Sequence, residues 1–338
     1  MLEEPYLGSG TRRKSMDPVS QHIHLDELPT PGSRFELQEL LGVGTCAKVY
    51  AATDKQKGNK VAVKIIDNIA ENLLEIESEF RVLSSIGGQP LVPEFHGTYL
   101  HSPKNAKKQL WFVMELCEGV PISELLLWLR KEGKSLSEEE IGALLKIFML
   151  AIYNLHQNDI IHRDIRASNF ILSTEGDIKL IDYGSCALVK ETEGKTHSSI
   201  GTPYWMAPEV INCEQLMPYT KSCDVWSLGI TAIELAETQP PLFDIHPVRA
   251  MFQIARNPPP TLKKLAEWSE EFKDFISECL ERNAEHRPCI LELLLHPFIS
   301  AADDISNEAL TMEEHLHAEF QPVIGSKVKQ VSLVSLRF

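Results

Sequence analysis

The sequence predicts an α+β fold, with strands concentrated in the first third of the chain and helices in the rest. Short apolar or alternating runs at Phe35–Leu41, Val61–Ile66 and Gln109–Glu115 predict the strands. The helices are predicted by a capping box at Ser137–Glu140, which opens a helical apolar pattern, and by the almost wholly apolar stretch Ser222–Leu235. The chain has 338 residues, 43% of them hydrophobic, which is enough for one large domain or for two lobes.

Composition and charge argue against several classes of protein. A formal net charge of −15 and a pI near 5.3 make nucleic acid or an anionic membrane an unsuitable main partner, because both require clustered Lys and Arg. The seven cysteines are scattered without CxxC spacing, which indicates a reducing compartment without disulfides or structural zinc. The first ten residues lack the pattern of a signal peptide, and the most apolar segment, Ile141–Leu155, is interrupted by Lys146. We therefore expect a cytoplasmic protein without a membrane span.

Residues 1–33 are rich in Pro, Gly, Ser and charged residues and show no sustained periodicity, so we predict a flexible N-terminal tail. Within this tail, Ser15 follows the basic run Arg12-Arg13-Lys14. This pattern is typical of a phosphorylation site for a basophilic kinase and equally of a solvated basic cluster. The sequence does not separate the two interpretations.

A glycine-containing loop follows the first predicted strand. Residues Gly42–Val49 lie between Phe35–Leu41 and a second short strand, Val49–Ala52. Gly42 and Gly44 have no side chains to keep backbone N–H groups away from phosphate oxygens. An ordinary hairpin with glycines has the same pattern, so the loop alone is a weak signal of phosphate binding.

The strand Val61–Ile66 carries a lysine among apolar residues. A buried ammonium group without an anionic partner is strongly unfavourable, or has a lowered pKa. We therefore expect Lys64 to meet a carboxylate or a phosphate. A lysine whose charged end reaches water at a strand edge would give the same pattern.

Polar residues surround a predicted hairpin within residues 162–184. Two short strands between residues 170 and 181 are joined by a turn. Because a hairpin fixes the direction of its flanking residues, Asp164, Asn169 and Asp182 can converge on one polar site. Carboxylate and amide oxygens suit a hard cation such as Mg²⁺.

With these segments in order, the chain resembles a eukaryotic protein kinase. The motifs are the glycine loop, VAVK at Lys64, HRD with an Asn five residues later, an Asp-aromatic-Gly triplet at Asp182, and GTPYWMAPE from Gly201. The resemblance implies a bilobal fold, with a small antiparallel β-sheet lobe containing one helix (34–116), a larger mainly helical lobe (117–300) and a C-terminal extension (301–338). It also implies transfer of the ATP γ-phosphoryl group, with Mg²⁺, to hydroxyls of protein substrates, and autophosphorylation.

The resemblance implies roles for individual residues. Asp164 would accept the proton of the substrate hydroxyl. The implied catalytic residues are Lys64, Glu79, Asp164, Arg166 and Asn169, and the implied metal ligands are Asn169 and Asp182. The implied nucleotide-binding residues are Leu41, Gly42, Val43, Gly44, Val49, Ala62, Lys64, Met114, Glu115, Cys117, Ile171 and Asp182.

The polar segment between Gly184 and Gly201 resembles an activation segment that phosphorylation orders. Arg163 would receive the phosphate through bidentate hydrogen bonds, and Thr202 would partner Asp164. The implied phosphorylation sites are Ser198, with Thr196 and Ser199 beside it. An unmodified Ser-rich loop is the alternative, because such loops are common.

Further segments indicate a subgroup. GTPYWMAPEV, HPVRAMFQI and RNPPP are similar to the Ste20 and germinal-centre group of Ser/Thr kinases, and HRDIR with NAEHRP is most similar to the kinase domain of class III myosins. The subgroup implies association with the actin–myosin cytoskeleton through a motor region missing from this chain.

Four residues depart from the usual kinase pattern: Ala47, Pro121, Arg166 and Tyr183. Arg166 stands where Ser/Thr kinases usually carry Lys, and the two cations are not interchangeable. Tyr183 replaces Phe, so its hydroxyl needs a partner if it is buried. The departures keep open a second hypothesis, a pseudokinase-like scaffold or regulatory module of a class III myosin.

Overall fold

The computed structural model describes residues 23–44, 47–104, 107–174, 176–189, 200–212 and 220–300. The predictions for the C-terminal extension 301–338 lie outside these residues. The predicted phosphorylation sites Ser15, Thr196, Ser198 and Ser199 lie outside them too.

Five antiparallel strands form the main sheet in the first part of the chain. They are β1 (Phe35–Val43), β2 (Ala47–Asp54), β3 (Lys60–Ile66), β4 (Phe95–His101) and β5 (Gln109–Glu115), in the order β1-β2-β3-β5-β4. Helix α1 (Leu73–Ile86) follows β3 and places its apolar residues in the same buried cluster as Phe112 of β5. Alternation along the strands places Val63, Tyr99 and Trp111 in a second cluster.

The rest of the chain is mainly helical. Its helices are α2 (Ile122–Lys131), α3 (Glu138–Gln157), α4 (Pro208–Ile211), α5 (Ser222–Glu237), α6 (Pro247–Arg256), α7 (Glu270–Cys279), α8 (Ile290–Leu293) and α9 (Pro297–Ser300). Short strands lie among them: β6 (Gly119–Pro121), β7 (Ile160–Ile161), β8 (Phe170–Ser173), β9 (Ile178–Leu180) and β10 (Ala187–Leu188). The predicted α+β bilobal architecture is confirmed. Among the described residues, the structure contains no helix that is both long and apolar enough to cross a membrane.

Two helices carry most of the larger lobe. Helix α3 begins with the predicted capping box, in which the Glu140 N–H donates to Ser137 Oγ at 3.2 Å and the Ser137 N–H donates to the Glu140 carboxylate at 2.7 Å. Helix α5 is buried at every residue from 223 to 236, as its nearly uniform apolar sequence predicts. A largely buried ion pair of 2.7 Å joins Arg287 to Glu209 of α4 within this lobe.

The sequence predicts a flexible tail over residues 1–33, but residues 23–33 pack against the folded domain. Ile23 is only 2% exposed and belongs to the main core, and Leu25 and Leu28 pack against that core. The Leu100 N–H of β4 donates to the Pro29 carbonyl at 3.0 Å. These three apolar side chains, too few to show a helix or strand pattern in the sequence, anchor residues 23–33 to the core.

Candidate active site

A cleft with a volume of about 650 Å³ lies between the main sheet and the helical part of the chain. Its lining brings together the implied catalytic and metal-binding residues Lys64, Glu79, Asp164, Arg166, Asn169 and Asp182. It also includes Leu41, Gly42, Gly44, Val49, Ala62, Met114, Glu115, Cys117 and Ile171. Val43 is not among the lining residues and is 46% exposed, so the structure does not bring it into the cleft.

Lys64 on β3 forms an ion pair with Glu79 on α1. The Lys64 Nζ lies 2.6 Å from Glu79 Oε1 and 3.8 Å from Asp182 Oδ1. Burial by itself lowers the pKa of Lys64, but the charges of Glu79 and Asp182 and the hydrogen bond outweigh burial and raise it. Lys64 is therefore a permanent cation at the inner end of the cleft.

Asp182 has a backbone conformation that few residues adopt. Its φ is 66°, in the left-handed region, which costs a residue other than glycine roughly 1–3 kcal/mol. The Gly184 N–H donates to Asp182 Oδ1 at 3.3 Å. Burial raises the pKa of Asp182, but the positive charge of Lys64, the hydrogen bond from the Gly184 N–H and more distant positive charges together outweigh burial and lower the pKa below its usual range. The carboxylate is therefore ionised at neutral pH.

Tyr183 is buried next to Asp182, and its hydroxyl has a partner. The hydroxyl donates to the Leu180 carbonyl at 2.7 Å, and the side chain is 2% exposed. Its ring meets the His162 ring edge-on at 5.9 Å between centroids. The exchange of Phe for Tyr at this position therefore leaves no unsatisfied polar group.

The carboxylate of Asp164 is fixed by hydrogen bonds from two neighbours. Thr202 donates to Asp164 Oδ1 from its hydroxyl at 2.6 Å and from its backbone N–H at 3.1 Å. Asn169 Nδ2 donates to the Asp164 carbonyl at 2.7 Å and to Oδ2 at 3.1 Å. The structure thus contains the contact between Thr202 and Asp164 expected from the sequence.

Arg166 lies between Thr202 and an indole ring. Its Nη1 donates to Thr202 Oγ1 at 2.8 Å, and its guanidinium carbon is 4.8 Å from the centre of the Trp205 ring. A planar guanidinium can make both contacts at once, whereas a lysine ammonium cannot stack in this way. Glycine is required just before Thr202, since Gly201 has a φ of 126° and a Cβ there would lie 2.5 Å from the Arg163 carbonyl oxygen.

Helix α5 supports the loop that carries Asp164. The Asp224 carboxylate accepts from the backbone N–H groups of His162 and Arg163 at 2.9 and 2.8 Å and lies 2.9 Å from His156 Nε2. Burial raises the pKa of Asp224, but the hydrogen bond and charge of His156 outweigh burial and lower it. Asp224 therefore fixes the backbone of the loop next to Asp164.

A second buried carboxylate under the same loop was not predicted. Glu234 Oε2 accepts from the Ala167 N–H at 3.1 Å and from Trp205 Nε1 at 3.0 Å. Burial raises the pKa of Glu234 to about 7. The sequence signal was an acidic residue within the largely apolar stretch Ile230–Ala236 of α5, because a buried carboxylate needs donors.

Arg163 has φ at 68° and bonds to the backbone that follows the Asp-Tyr-Gly triplet. Its Nη2 donates to the Cys186 carbonyl at 3.1 Å, and its Nε donates to the Ser185 carbonyl. Ser198, Thr196 and Ser199, whose phosphate Arg163 is predicted to bind, lie outside the described part of the chain.

The segment Met114–Cys117 connects the two lobes. The Glu115 carboxylate accepts from the Glu94 N–H at 3.0 Å and bonds to Lys179 of β9, a role of the side chain that sequence reasoning missed. Burial, followed by the charge of Glu115, raises the pKa of Cys117 to about 12. The Cys117 thiol in the wall of the cleft is therefore neutral at physiological pH.

The donor set of the cleft fits a magnesium nucleotide. The Asp182 carboxylate and the Asn169 amide oxygen are hard oxygen donors of the type that Mg²⁺ prefers. Lys64 adds a fixed cation for phosphate, and the apolar walls Val49, Ala62 and Ile171 suit a flat ring.

The bilobal fold, the Lys64–Glu79 ion pair and the Asp164 loop define a protein kinase. Comparison with known proteins agrees, since the protein kinase domain family matches residues 35–299, and the chain belongs to that family.

Relatives with the same domain include several class III myosins. The chain is 44% identical to human Myosin-IIIa over 284 residues and 45% identical to mouse Myosin-IIIb over 279 residues, which is 83% and 82% of this chain. It is 38% identical over 299 residues, 87% of this chain, to the serine/threonine-protein kinase mig-15 of Caenorhabditis elegans. The matches cover only 18%, 21% and 27% of these relatives. The predicted resemblance to Ste20-like kinases and class III myosins is confirmed.

Proposed function

We propose that this chain is an active protein serine/threonine kinase that transfers the γ-phosphoryl group of ATP to Ser and Thr hydroxyls of proteins. One observation carries the proposal. The ion-paired Lys64, the hydrogen-bonded carboxylate of Asp164 and the oxygen donors Asn169 and Asp182 all line one cleft. The name of the relative mig-15, a serine/threonine-protein kinase, supports the same class of activity.

In this proposal the cleft binds the nucleotide by charge and shape. Lys64 holds phosphate oxygens, and Glu79 holds Lys64 in place through the 2.6 Å contact. Asn169 and Asp182 would hold Mg²⁺, which would supply positive charge to the phosphates. The residues Leu41, Val49, Ala62 and Ile171 exclude water from the ring of the nucleotide.

Asp164 acts on the acceptor hydroxyl. Thr202 and Asn169 hold one carboxylate oxygen each, so the group is oriented before the substrate arrives. A carboxylate has about four acceptor positions. Thr202 takes two of them on Oδ1 and Asn169 takes one on Oδ2, so Oδ2 can still accept a bond from an alcohol. Asp164 thus aligns the Ser or Thr hydroxyl and receives its proton as the phosphoryl group is transferred.

Arg166 supports the transfer through its charge. Its guanidinium is held by Thr202 and Trp205 and faces the same cleft as Asp164. We propose that Arg166 helps to neutralise charge on the transferred group, as the lysine usual at this position does. The pseudokinase-like alternative loses one of its supports, since the Tyr183 hydroxyl is satisfied.

The substrates we propose are proteins. We also propose phosphorylation of the chain itself at Ser198, Thr196 or Ser199, with Arg163 as the receiver of the phosphate. Because several relatives are named as myosins, we propose a cytoplasmic protein that acts at the actin–myosin cytoskeleton.

The test is transfer of labelled phosphate from ATP and Mg²⁺ to a generic basic protein and to the chain itself. We expect Asp164→Asn to lower the rate by about 10²–10⁴-fold, because it removes the proton acceptor. The control is Asp177→Asn, which changes an exposed aspartate in a turn away from the cleft. Phosphoamino-acid analysis of the products should show Ser and Thr and not Tyr. Absent transfer by the wild type, or transfer that Asp164→Asn leaves unchanged, would favour the scaffold.

A further inference from the structure

We propose that Ser78 is a positioning residue for phosphoryl transfer, which keeps helix α1 in the orientation where Glu79 reaches Lys64. This inference rests on the proposed kinase function. It concerns a side chain that neither the family motifs nor the implied site residues include.

The inference begins with a backbone carbonyl shared by two distant parts of the chain. The Cys186 carbonyl oxygen accepts from Ser78 Oγ at 2.9 Å and from Arg163 Nη2 at 3.1 Å. A carbonyl oxygen has two lone pairs, so it can accept both bonds. We call these three groups the Cys186 junction. It joins α1 to the loop of Asp164 through the backbone that follows the Asp-Tyr-Gly triplet.

The junction is placed to control the Lys64–Glu79 ion pair. Ser78 and Glu79 are consecutive in α1, so one residue holds the backbone after the triplet while the next holds the cleft lysine. Glu79 is buried and Ser78 is partly buried, whereas Leu74 in the first turn of α1 is 78% exposed. A rotation of α1 that breaks the bond to Cys186 also moves Glu79 away from Lys64.

Arg163 and Cys186 are held by more contacts than the Ser78 side of the junction. Arg163 is held by its own backbone N–H, which donates to Asp224 at 2.8 Å, and its Nε holds the Ser185 carbonyl. The Cys186 side chain is 1% exposed, so this acceptor lies in packed surroundings. The Cys186 carbonyl is therefore well fixed, and the Ser78 hydroxyl attaches helix α1 to it.

The size of the effect follows from the type of bond. A neutral hydrogen bond contributes modestly to the balance between two conformations, so its loss should lower the competent fraction of molecules by about threefold to tenfold. We expect Ser78→Ala to lower kcat/KM for ATP by this factor. Ser78→Thr should restore most of it, because Thr keeps the hydroxyl.

A matched control is available in the same helix. Ser85 Oγ donates to the Val82 carbonyl of α1 itself at 2.8 Å, so Ser85→Ala removes a serine bond that does not leave the helix. We expect Ser85→Ala to leave kcat/KM for ATP within about twofold of the wild type, with a change in Tm similar to that of Ser78→Ala.

A second measurement shows whether Ser78 acts through Glu79. In a Glu79→Gln background, adding Ser78→Ala should change kcat/KM by less than about twofold, since coupled residues are not additive. The assay uses the full chain, ATP, Mg²⁺ and a generic basic protein. If the wild type transfers no phosphate, the proposed kinase function fails. If the wild type is active, only the role of Ser78 is overturned by any of four results. Two are a kcat/KM of Ser78→Ala equal to that of the wild type or of Ser85→Ala. The others are a Ser78→Thr variant as impaired as Ser78→Ala, and a loss from Ser78→Ala that adds fully to the loss from Glu79→Gln.

Discussion

The two walls of the cleft are held in place in different ways. The loop that carries Asp164 rests on α5, where Asp224, Thr231 and Glu234 are all buried and bond to its backbone. The opposite wall, α1, buries one apolar face in the core, bonds to Lys64 and to the Cys186 carbonyl through Glu79 and Ser78, and exposes the start of the helix.

The difference separates a fixed wall from an adjustable one. Buried, multiply bonded groups open only with large parts of the fold, whereas elements with fewer buried contacts open locally at lower cost. We therefore expect changes under the Asp164 loop to affect stability and activity together. Changes in α1 should affect activity more than stability.

The largest effect is expected from Asp224→Ala. This change leaves two backbone N–H groups and His156 without their buried acceptor, and should lower the free energy of unfolding by about 3–5 kcal/mol. Chemical denaturation measures the change. The control Asp244→Ala alters an exposed loop residue and should cost no more than about 0.5 kcal/mol. Equal stabilities of the two variants would contradict the view of α5 as a rigid support.

An effect of intermediate size is expected from Glu234 as the pH changes. Its pKa is raised from 4.5 to about 7 in the folded chain, so between these pH values the folded state binds more protons than the unfolded state. Stability from this group is therefore greatest at low pH and falls as the pH rises toward 7.

Glu234→Gln should remove this dependence, because the amide does not titrate. The stability of the wild type relative to Glu234→Gln should fall by about 2–3 kcal/mol between pH 5 and pH 8. Denaturation curves for both proteins across that range give the difference directly, and other titrating groups cancel. Parallel curves would show that Glu234 keeps an ordinary pKa under the loop.

The smallest effect on stability is expected from Glu79→Gln in α1. Burial of the Glu79 carboxylate is itself unfavourable and raises its pKa, and Lys64 keeps Asp182 at 3.8 Å, so unfolding should become easier by only about 1–2 kcal/mol. Phosphate transfer should nevertheless fall by about 10- to 100-fold, because a charge-assisted bond that positions Lys64 is lost. Glu75→Gln, at an exposed position of the same helix, is the control. A stability loss as large as that of Asp224→Ala would contradict the contrast between the walls.

Much of the fold was predictable because its signals are local. The capping box at Ser137, the apolar helix Ser222–Leu235 and the hairpin around residues 170–181 each depend on neighbours in sequence, and the structure contains them. Strand β4 was not predicted, since Phe95–His101 has no clear alternation. Helix α2 was overlooked, although Ile122, Leu125, Leu126 and Leu129 have helical spacing. The anchoring of Ile23 also escaped prediction, because a single buried side chain has no periodicity.

The residues of the active site were predictable in part, and the contacts between them were not. The order of motifs indicated which residues matter, including Lys64, Asp164 and Asp182. Sequence spacing could not indicate that Glu234 lies beneath Ala167, that Glu115 bonds to Lys179, or that Ser78 meets the Cys186 carbonyl, since each pair is separated by more than sixty residues.

The sequence by itself determined the class of fold, the family and the chemical types of the residues in the cleft, because periodicity, capping and motif order are properties of neighbouring residues. Only the tertiary structure decided which oxygen of Asp164 meets Thr202, which buried carboxylate has a raised pKa, and how firmly each wall of the cleft is attached. These properties depend on desolvation and on distances of a few ångströms between remote segments, and packing alone sets both.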